Sequence, residues 1–547
     1  MNVLLITDKF SQNNNFKDGG TRVVKSLLKA FNNNISVMQF GGEQNSLANW
    51  HFDYKVSIPN RFEHRIANAY YIAEKVKMVE HNFTHLIFLH IAMQFGFSKL
   101  NFEKSTEVWT FPMFLSPSYE ASGEVIPYEY KRLEALTLSK THNIITPSYL
   151  EKKQILDFYN FDSTRIHVIP RGITLDFLTH NVRQFNITTD TLKICSIGSI
   201  KSQKNIIELI DLFLLINKKY HKCELHIIGP IQDSNYLAEI KNKITQLNLE
   251  NKIKFTGYIS PEKLSDYIKN FHIHISASKC ETFGRAIFET LACGIPNIII
   301  LYQNAAYEFL KQVPYVRFVN NKDEALFHLN LLLKELDIFS KLAQEIGYLY
   351  DDKELMRRIT AKICNKDTLV ISDYDGTIFY KNDLERTKNF IKKFNNYSQK
   401  AIFSARPLNF LINAIQQYKI SVNWIVSYSG ALISDSLGNI LHIEPLELKD
   451  LKKLDRISKK FQRVIFKNKV ILLYIPLNEI DIETLPKYLN IELYDNIVYI
   501  SSRKASKLYA AIRLLKHLNW DGNVKSYGNS IYDEEIIKYF DGYLITD

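Results

Sequence analysis

Cysteine is scarce in this chain, and long apolar runs are missing. The five cysteines, Cys195, Cys223, Cys280, Cys293 and Cys364, are odd in number and lack the paired spacing of a metal site. That excludes a disulfide framework and predicts reduced thiols in a cytoplasmic setting. The longest apolar stretch, IPNIIILY at 295–302, falls well short of the ~20 residues a membrane-spanning helix needs. Any membrane contact is therefore expected to be peripheral, at the inner face. A basic leader with a small-residue cleavage site is missing too, and MNVLLITDKF reads as a first β-strand. Short-period repeats and low-complexity tracts do not occur.

Lysine and arginine exceed aspartate and glutamate by 69 to 58, a formal charge of +11. The cations are scattered, with no basic–aromatic groove pattern, so nucleic acid is not an expected partner. Scattered basic charge suits a solvated surface, and it also suits phosphorylated substrates or an anionic membrane face. What the chain has in quantity is folding material, 46% apolar and 13% aromatic residues over 547 positions. At ~100–200 residues per domain, that length predicts three or four units.

Short β-branched runs such as VLLIT (3–7), HLIFL (85–89), KICSIG (193–198) and HIHISA (272–277) alternate with amphipathic stretches such as TRVVKSLLKAF and NIIELIDLFLLINKKY. Alternation of this kind predicts an α/β fold of parallel sheets with crossover helices. Pro and Gly interrupt the pattern at HVIPRGITLDF (167–177), and a fresh strand opens at Thr368. The expected domains are 1–170, 171–365 and 366–547.

Within SASKCETFGRAIFETLACGIPNII (276–299), Glu281 and Glu289 flank a glycine loop between a strand and a helix. Helix-end amides receive anions there, and glycine lets backbone approach a ligand. One glutamate could hold sugar hydroxyls and the other a ribose. ETFGRAIFETLACGIP, with GG at 19–20, IITPSYL, VIPRGIT, SIGSIKSQKN and LHIIG in order, resembles the retaining glycosyltransferases of family 4. Over roughly 1–360 the resemblance implies the GT-B fold, two Rossmann-like halves facing a cleft. It implies a nucleotide-sugar donor and a sugar, sugar-phosphate or glycan acceptor, with no cofactor required for transfer. By the same resemblance Lys204 binds the donor diphosphate, Glu281 the donor sugar and Glu289 the nucleotide ribose. Phe283 and Gly284 supply backbone at the phosphates, Gly19 and Gly20 border the acceptor, and His90 lies where some relatives have a cleft histidine. Two departures stand out: Ser199 replaces a frequent arginine, leaving open whether Lys201 substitutes for it, and Asn205 replaces the usual glycine after the lysine.

LVISDYDGTIFYK (369–381) empties a strand into aspartates at 373 and 375. Carboxylates at i and i+2 of an extended strand point the same way, so they could share a cation or divide attack and proton transfer between them. With AIFSARP (401–407), SSRKASKL (501–508) and YGNSIYDEE (527–535), the set looks like the haloacid dehalogenase superfamily of phosphatases. That implies a Rossmann-like domain with a small α+β cap at about 430–500. The resemblance makes Asp373 the nucleophile that forms an aspartyl-phosphate, Asp375 the acid/base, Ser404 a phosphate ligand and Lys507 the charge-balancing cation. It assigns Mg²⁺ to Asp373, Asp375 and Asp533, with Asn529 at a position where a carboxylate is common. The layout resembles that of sucrose-phosphate synthases. A bifunctional enzyme is the expectation, and a transferase with a non-catalytic C-terminal binding or regulatory module is its alternative. The breadth of the first family points to surface-polysaccharide synthesis.

Overall fold

In the computed structural model of the protein, residues 1–8, 19–32, 34–44, 46–174, 177, 184–186 and 189–545 are described. The chain divides into two compact units, Met1–Cys364 and Asn365–Asp547. The first contains two wholly parallel sheets. One runs in the order Trp50–Phe52, Ser36–Phe40, Val3–Asp8, His85–Leu89, Glu107–Phe111, Asn143–Thr146, Ile166–Val168. The other runs Ile253–Gly257, Cys223–Ile228, Leu192–Ile197, Ile273–Ser276, Asn297–Ile300, Val316–Val319. Helices cover both faces of such sheets, so their central strands are continuous apolar runs, and Leu4, Leu5 and Ile6 are wholly buried.

Chain order reverses between Val3–Asp8 and His85–Leu89 in the first sheet and between Leu192–Ile197 and Ile273–Ser276 in the second. Such switch points open a crevice beyond the strands' carboxyl ends, where α/β sheets bind ligands. The second crevice is bordered by the segments after Ile197 and Ser276, which carry Lys204 and Glu281. After Val316–Val319 come four helices, and the last, Asp352–Ile363, returns to the first half. There Asp352 N donates to Ile173 O at 3.1 Å.

The second unit has a seven-stranded core sheet, with Thr368–Asp373 between Gln399–Phe403 and Asn523–Gly528. An antiparallel sheet of four strands, Gln462–Phe466, Lys469–Pro476, Ile497–Ser501 and Asn490–Tyr494, is inserted with the helix Leu448–Ile457. This insertion is narrower than the 430–500 expected from sequence. Leu432–Asp435 and Ile440–Ile443 instead extend the core sheet as an antiparallel hairpin, because Leu432 and Ile433 bury against it. Among the described residues, no helix is long and apolar enough to cross a membrane, and all five cysteines are free.

Candidate active sites

The donor-side site is built by two loops clipped together. Lys279 N donates to Gln203 O at 2.9 Å, and Gln203 Nε2 donates to Cys280 O at 2.7 Å. These bonds bring Lys204 onto the carboxylate of Glu281 as an ion pair with side chains 20% and 17% exposed. A Cβ on Gly198 would lie 2.8 Å from Lys204 Cε, so glycine there leaves the lysine its path. Asn205 adopts φ 49, a left-handed conformation. Glycine is the usual residue for it and asparagine the commonest substitute, which accounts for that departure from the family pattern. Burial alone would raise Glu281, but Lys204, Ser278 and Lys201 outweigh it and hold the carboxyl below its ordinary value. Lys201 is itself lowered, first by burial and then by Lys204 and Arg61.

Gly284, at φ 83, opens the helix Arg285–Ala292. Phe283 is 4% exposed and stacks on Phe288 at 4.4 Å, so only its backbone can face a ligand. Glu289, on the same helix, is buried and ion-paired to Arg22, on the helix Gly19–Ala30 that Gly19 and Gly20 open. One turn further along that helix, Ser26 Oγ donates to Asp352. Glu281 and Glu289 are thus held by different cations, one within the second half and one from across the cleft. His90 takes φ 102, a strained backbone for a bulky residue. Its Nδ1 accepts from Ala92 N at 3.0 Å, and burial, then Arg65 and Arg61, hold it well below its ordinary pKa.

In the second unit, Asp373 ends the central strand. In register it pairs with Phe403, the residue before Ser404, while Ser372 pairs with Tyr527, the residue before Gly528. Three motifs separated in sequence therefore meet at one sheet edge. Lys507, first residue of a helix capped by Ser506, donates to Asp373 Oδ1 at 2.7 Å and Asp533 Oδ1 at 2.5 Å. Lys507, Asp373 and Asp533 are 5%, 7% and 1% exposed. Asp533 Oδ2 accepts from Asn529 N, Ser530 N and Ser530 Oγ at 3.1, 3.0 and 2.7 Å. Burial pushes Asp373 up to about 7, opposed by Lys507 and reinforced by Asp533. In Lys507 the two carboxylates overcome burial and raise the ammonium well above its ordinary value. In Asp533 burial is likewise outweighed by Lys507 and Ser530, and its carboxyl is lowered.

The side chains of Asp373 and Asp375 do not share a cation. The strand ends at Asp373, Tyr374 is buried, and Asp375 lies in the following turn. There Arg406 grips it through Nε and Nη2, both at 3.0 Å. Alternation of side chains applies only while the strand continues, so the two carboxylates part here, and of the two expectations a division of attack and proton transfer is the one left. Ser404 is 1% exposed, and its Oγ accepts from Arg406 N at 3.1 Å. Asn529 packs on the DYDGT loop, where a Cβ on Gly376 would sit 1.9 Å from its Nδ2, and its Oδ1 accepts from Thr377 at 3.4 Å. Among the described residues no group of three or more His, Cys, Asp or Glu forms a metal cage. Magnesium does not need one, since it takes one or two carboxylates and keeps its waters. Two carboxylates already converging on one cation, beside an amide oxygen, fit that requirement.

Sequence reading missed Arg22 and two groups of the cap, and it noted Arg406 without giving it a role. Glu492 accepts from Ser429 Oγ, and Leu493 N donates to Tyr532 OH at 2.9 Å, so the strand Asn490–Tyr494 is stitched to the core beside Asp533. Arg406 is the arginine that AIFSARP places after the second strand, and its pairing with Asp375 is what the motif alone does not show. The others become visible only when distant segments meet.

Comparison with known proteins agrees with this division. Residues 179–348 match the family described as Glycosyl transferases group 1, and residues 370–485 match haloacid dehalogenase-like hydrolase. The mannosylfructose-phosphate synthase of Agrobacterium fabrum is 23% identical over 171 residues, 29% of this chain and 37% of that one. The alpha-monoglucosyldiacylglycerol synthase of Streptococcus pneumoniae is 30% identical over 191 residues, 33% of this chain and 42% of that one. The chain thus spans about two fifths of these relatives' length. Sucrose-phosphate synthase from Thermosynechococcus elongatus superposes with a TM-score of 0.55 at 14% identity, over 67% of this chain and 99% of that one. An Anabaena HepE structure with UDP and glucose gives 0.54 at 15%, over 67% and 100%. On one polypeptide, therefore, the chain carries a glycosyl transferase group 1 region of GT-B fold followed by a haloacid dehalogenase-like hydrolase region.

Proposed function

We propose that the first unit transfers a sugar, with retention, from a nucleotide sugar to a sugar, sugar-phosphate or glycan acceptor, and that the second removes phosphate from the product or a related monoester. The observation that carries the second half is the Asp373–Lys507–Asp533 cluster, buried at the end of the central strand. A carboxylate attacks a phosphate dianion only where cations offset the repulsion. Lys507 holds Asp373 Oδ1, leaving Oδ2 to attack phosphorus as the bond to the leaving oxygen breaks. Asp375 supplies that oxygen's proton, then takes one from the water that attacks phosphorus and releases phosphate from Asp373. Arg406 grips both carboxylate oxygens of Asp375, so the side chain must leave Arg406 to reach the leaving oxygen. Asp373, Asp533, Asn529 and the Asp375 carbonyl would hold Mg²⁺, which supplies charge neutralisation at the phosphoryl oxygens.

In the first unit, charge grows on the departing diphosphate, and Lys204 with the amides at Gly284–Arg285 is placed to stabilise it without a metal. Glu281 orients Lys204 until donor arrives, Glu289 serves the ribose, and Gly19 and Gly20 border the acceptor. Two of the similar proteins are named as synthases of phosphorylated disaccharides. A product of that class would give the second unit its substrate, and hydrolysis would make the transfer irreversible. Asn529 favours a second reading, a non-catalytic regulatory module, because a neutral amide stands where a carboxylate is common.

The test is phosphate release from a panel of sugar phosphates with Mg²⁺. Wild type is expected to release phosphate, Asp373→Asn to release none, and Glu281→Gln to lose transfer alone. No release by wild type across the panel would favour the regulatory reading.

A further inference from the structure

Between the two halves of the first unit lies a cavity of about 10 Å³ lined by Arg22, Ser26, Arg171, Thr174, Arg285 and Asp352, among others. That is room for about one water-sized sphere. Its charge is unbalanced, with three guanidinium groups against one carboxylate. Asp352 is already engaged by Ser26 Oγ, and Arg22 by Glu289. Arg171 is 7% exposed, yet its contacts are Met113 Sδ at 3.6 Å and the ring of Phe111 at 5.6 Å. Among the described residues, Arg285 makes no hydrogen bond or ion pair, and Thr174 Oγ1 is buried without a partner.

Asp352 faces both Arg171 and Arg285, and Glu289 faces Arg285 as well as Arg22, so three guanidinium groups share two carboxylates and keep positive charge in excess. Glu151 does not relieve Arg171, because burial pushes its carboxyl up to about 8 and leaves it mostly neutral at pH 7. The cations themselves respond in the expected direction, with Arg285 lowered to about 10 by burial and then by Arg22.

We propose that this cavity is a binding site for a small monatomic anion of the chloride class, held by Arg171, Arg285 and Thr174 at the junction of the two halves. Size selects the class, since a tetrahedral oxyanion is far larger than the space. An anion there joins the segment 171–174 to the start of the helix Arg285–Ala292. It also competes with Glu289 for Arg22, exposing the carboxylate assigned to the ribose. The site does not depend on the proposed activities, although filling it reaches Glu289 on the donor side.

The test follows thermal unfolding of the full chain as chloride replaces gluconate at constant sodium and ionic strength. The midpoint of one transition is expected to rise by about 2–4 °C and level off. Methanesulfonate, too large for the cavity, should give no such rise at matched ionic strength, and Arg171→Met and Arg285→Met should each abolish the chloride response. If Arg171→Met does not fold, Arg285→Met decides, because that side chain is only partly buried. Equal midpoints in chloride and gluconate, an equal rise with methanesulfonate, or a full chloride response in Arg285→Met overturns the proposal. Crystals soaked in bromide should show anomalous signal against Arg171 and Arg285, and signal elsewhere but none in the cavity counts against it.

Discussion

Buried carboxyl groups are held in two ways in this protein, and each unit supplies an example. In the second, Asp373 and Asp533 close around one lysine, and all three groups are almost withdrawn from water. In the first, Glu134 and Glu151 are wholly buried with no cation hydrogen-bonded to them, and burial pushes them up to about 7 and about 8. Of its ion-paired acids, Glu289 is buried against Arg22, whereas Glu281 sits at a partly open edge. A lysine held between two carboxylates suits a group that must attack as an anion, because Lys507 opposes the burial that pushes Asp373 up. Carboxyls kept neutral serve packing between elements, and a half-exposed pair such as Lys204–Glu281 is ready to exchange partners with an incoming diphosphate.

The contrast breaks most decisively at Lys507. Removing one member of a buried ion cluster leaves uncompensated charge, so Lys507→Met should destabilise the second unit by about 3–5 kcal/mol and abolish hydrolysis. Denaturant titration of the full chain, with the second transition moving and the first unmoved, is the check. A change below about 1 kcal/mol would mean that Asp373 and Asp533 are not charged together.

Glu151 sharpens the other side. Its pKa is raised above the unfolded value, so the folded state holds the proton more tightly. The stabilisation is fully present below the ordinary carboxyl range and is lost as pH rises toward about 8. The first unit should lose roughly 2–4 kcal/mol of stability between pH 5 and pH 9 from this group. Glu151→Gln should flatten that slope, and an unchanged slope in the variant would place the titration elsewhere.

How much of this was legible in the sequence depends on how local each feature is. DYDGT and ETFG carry their meaning in a few adjacent residues, and strand periodicity was enough to place them at sheet ends. The partners that set their charge come from afar: Arg22 is 267 residues from Glu289, and Ser429 is 63 from Glu492. No periodicity registers such distances. The pairing of Asp375 with Arg406 was hidden for another reason, because period-two reasoning assumed two more strand residues than the chain forms. The core hairpin at 432–443 read as cap because hairpin patterns look alike wherever they dock.

Asn529 offers a finer test of the second site. A carboxylate there would face the same loop with one more anionic oxygen, so Asn529→Asp should tighten Mg²⁺ binding by about tenfold, roughly 1.4 kcal/mol. Calorimetric titration of Mg²⁺ reads this without any turnover. An unchanged affinity would place the ion away from residue 529.

The smallest effect belongs to the half-exposed pair. With both side chains reaching solvent, Lys204→Met should change the stability of the first unit by under about 1 kcal/mol, because water screens what the lysine leaves behind. Transfer should nevertheless fall by about 10²-fold or more, since the lysine acts on charge that appears only as the donor bond breaks. The separation of those two numbers is the point of the comparison. In the second unit one lysine should govern folding and chemistry together, whereas here chemistry should fail in a protein that still folds. A large stability loss in Lys204→Met would make the first site another closed charge cage and remove the distinction.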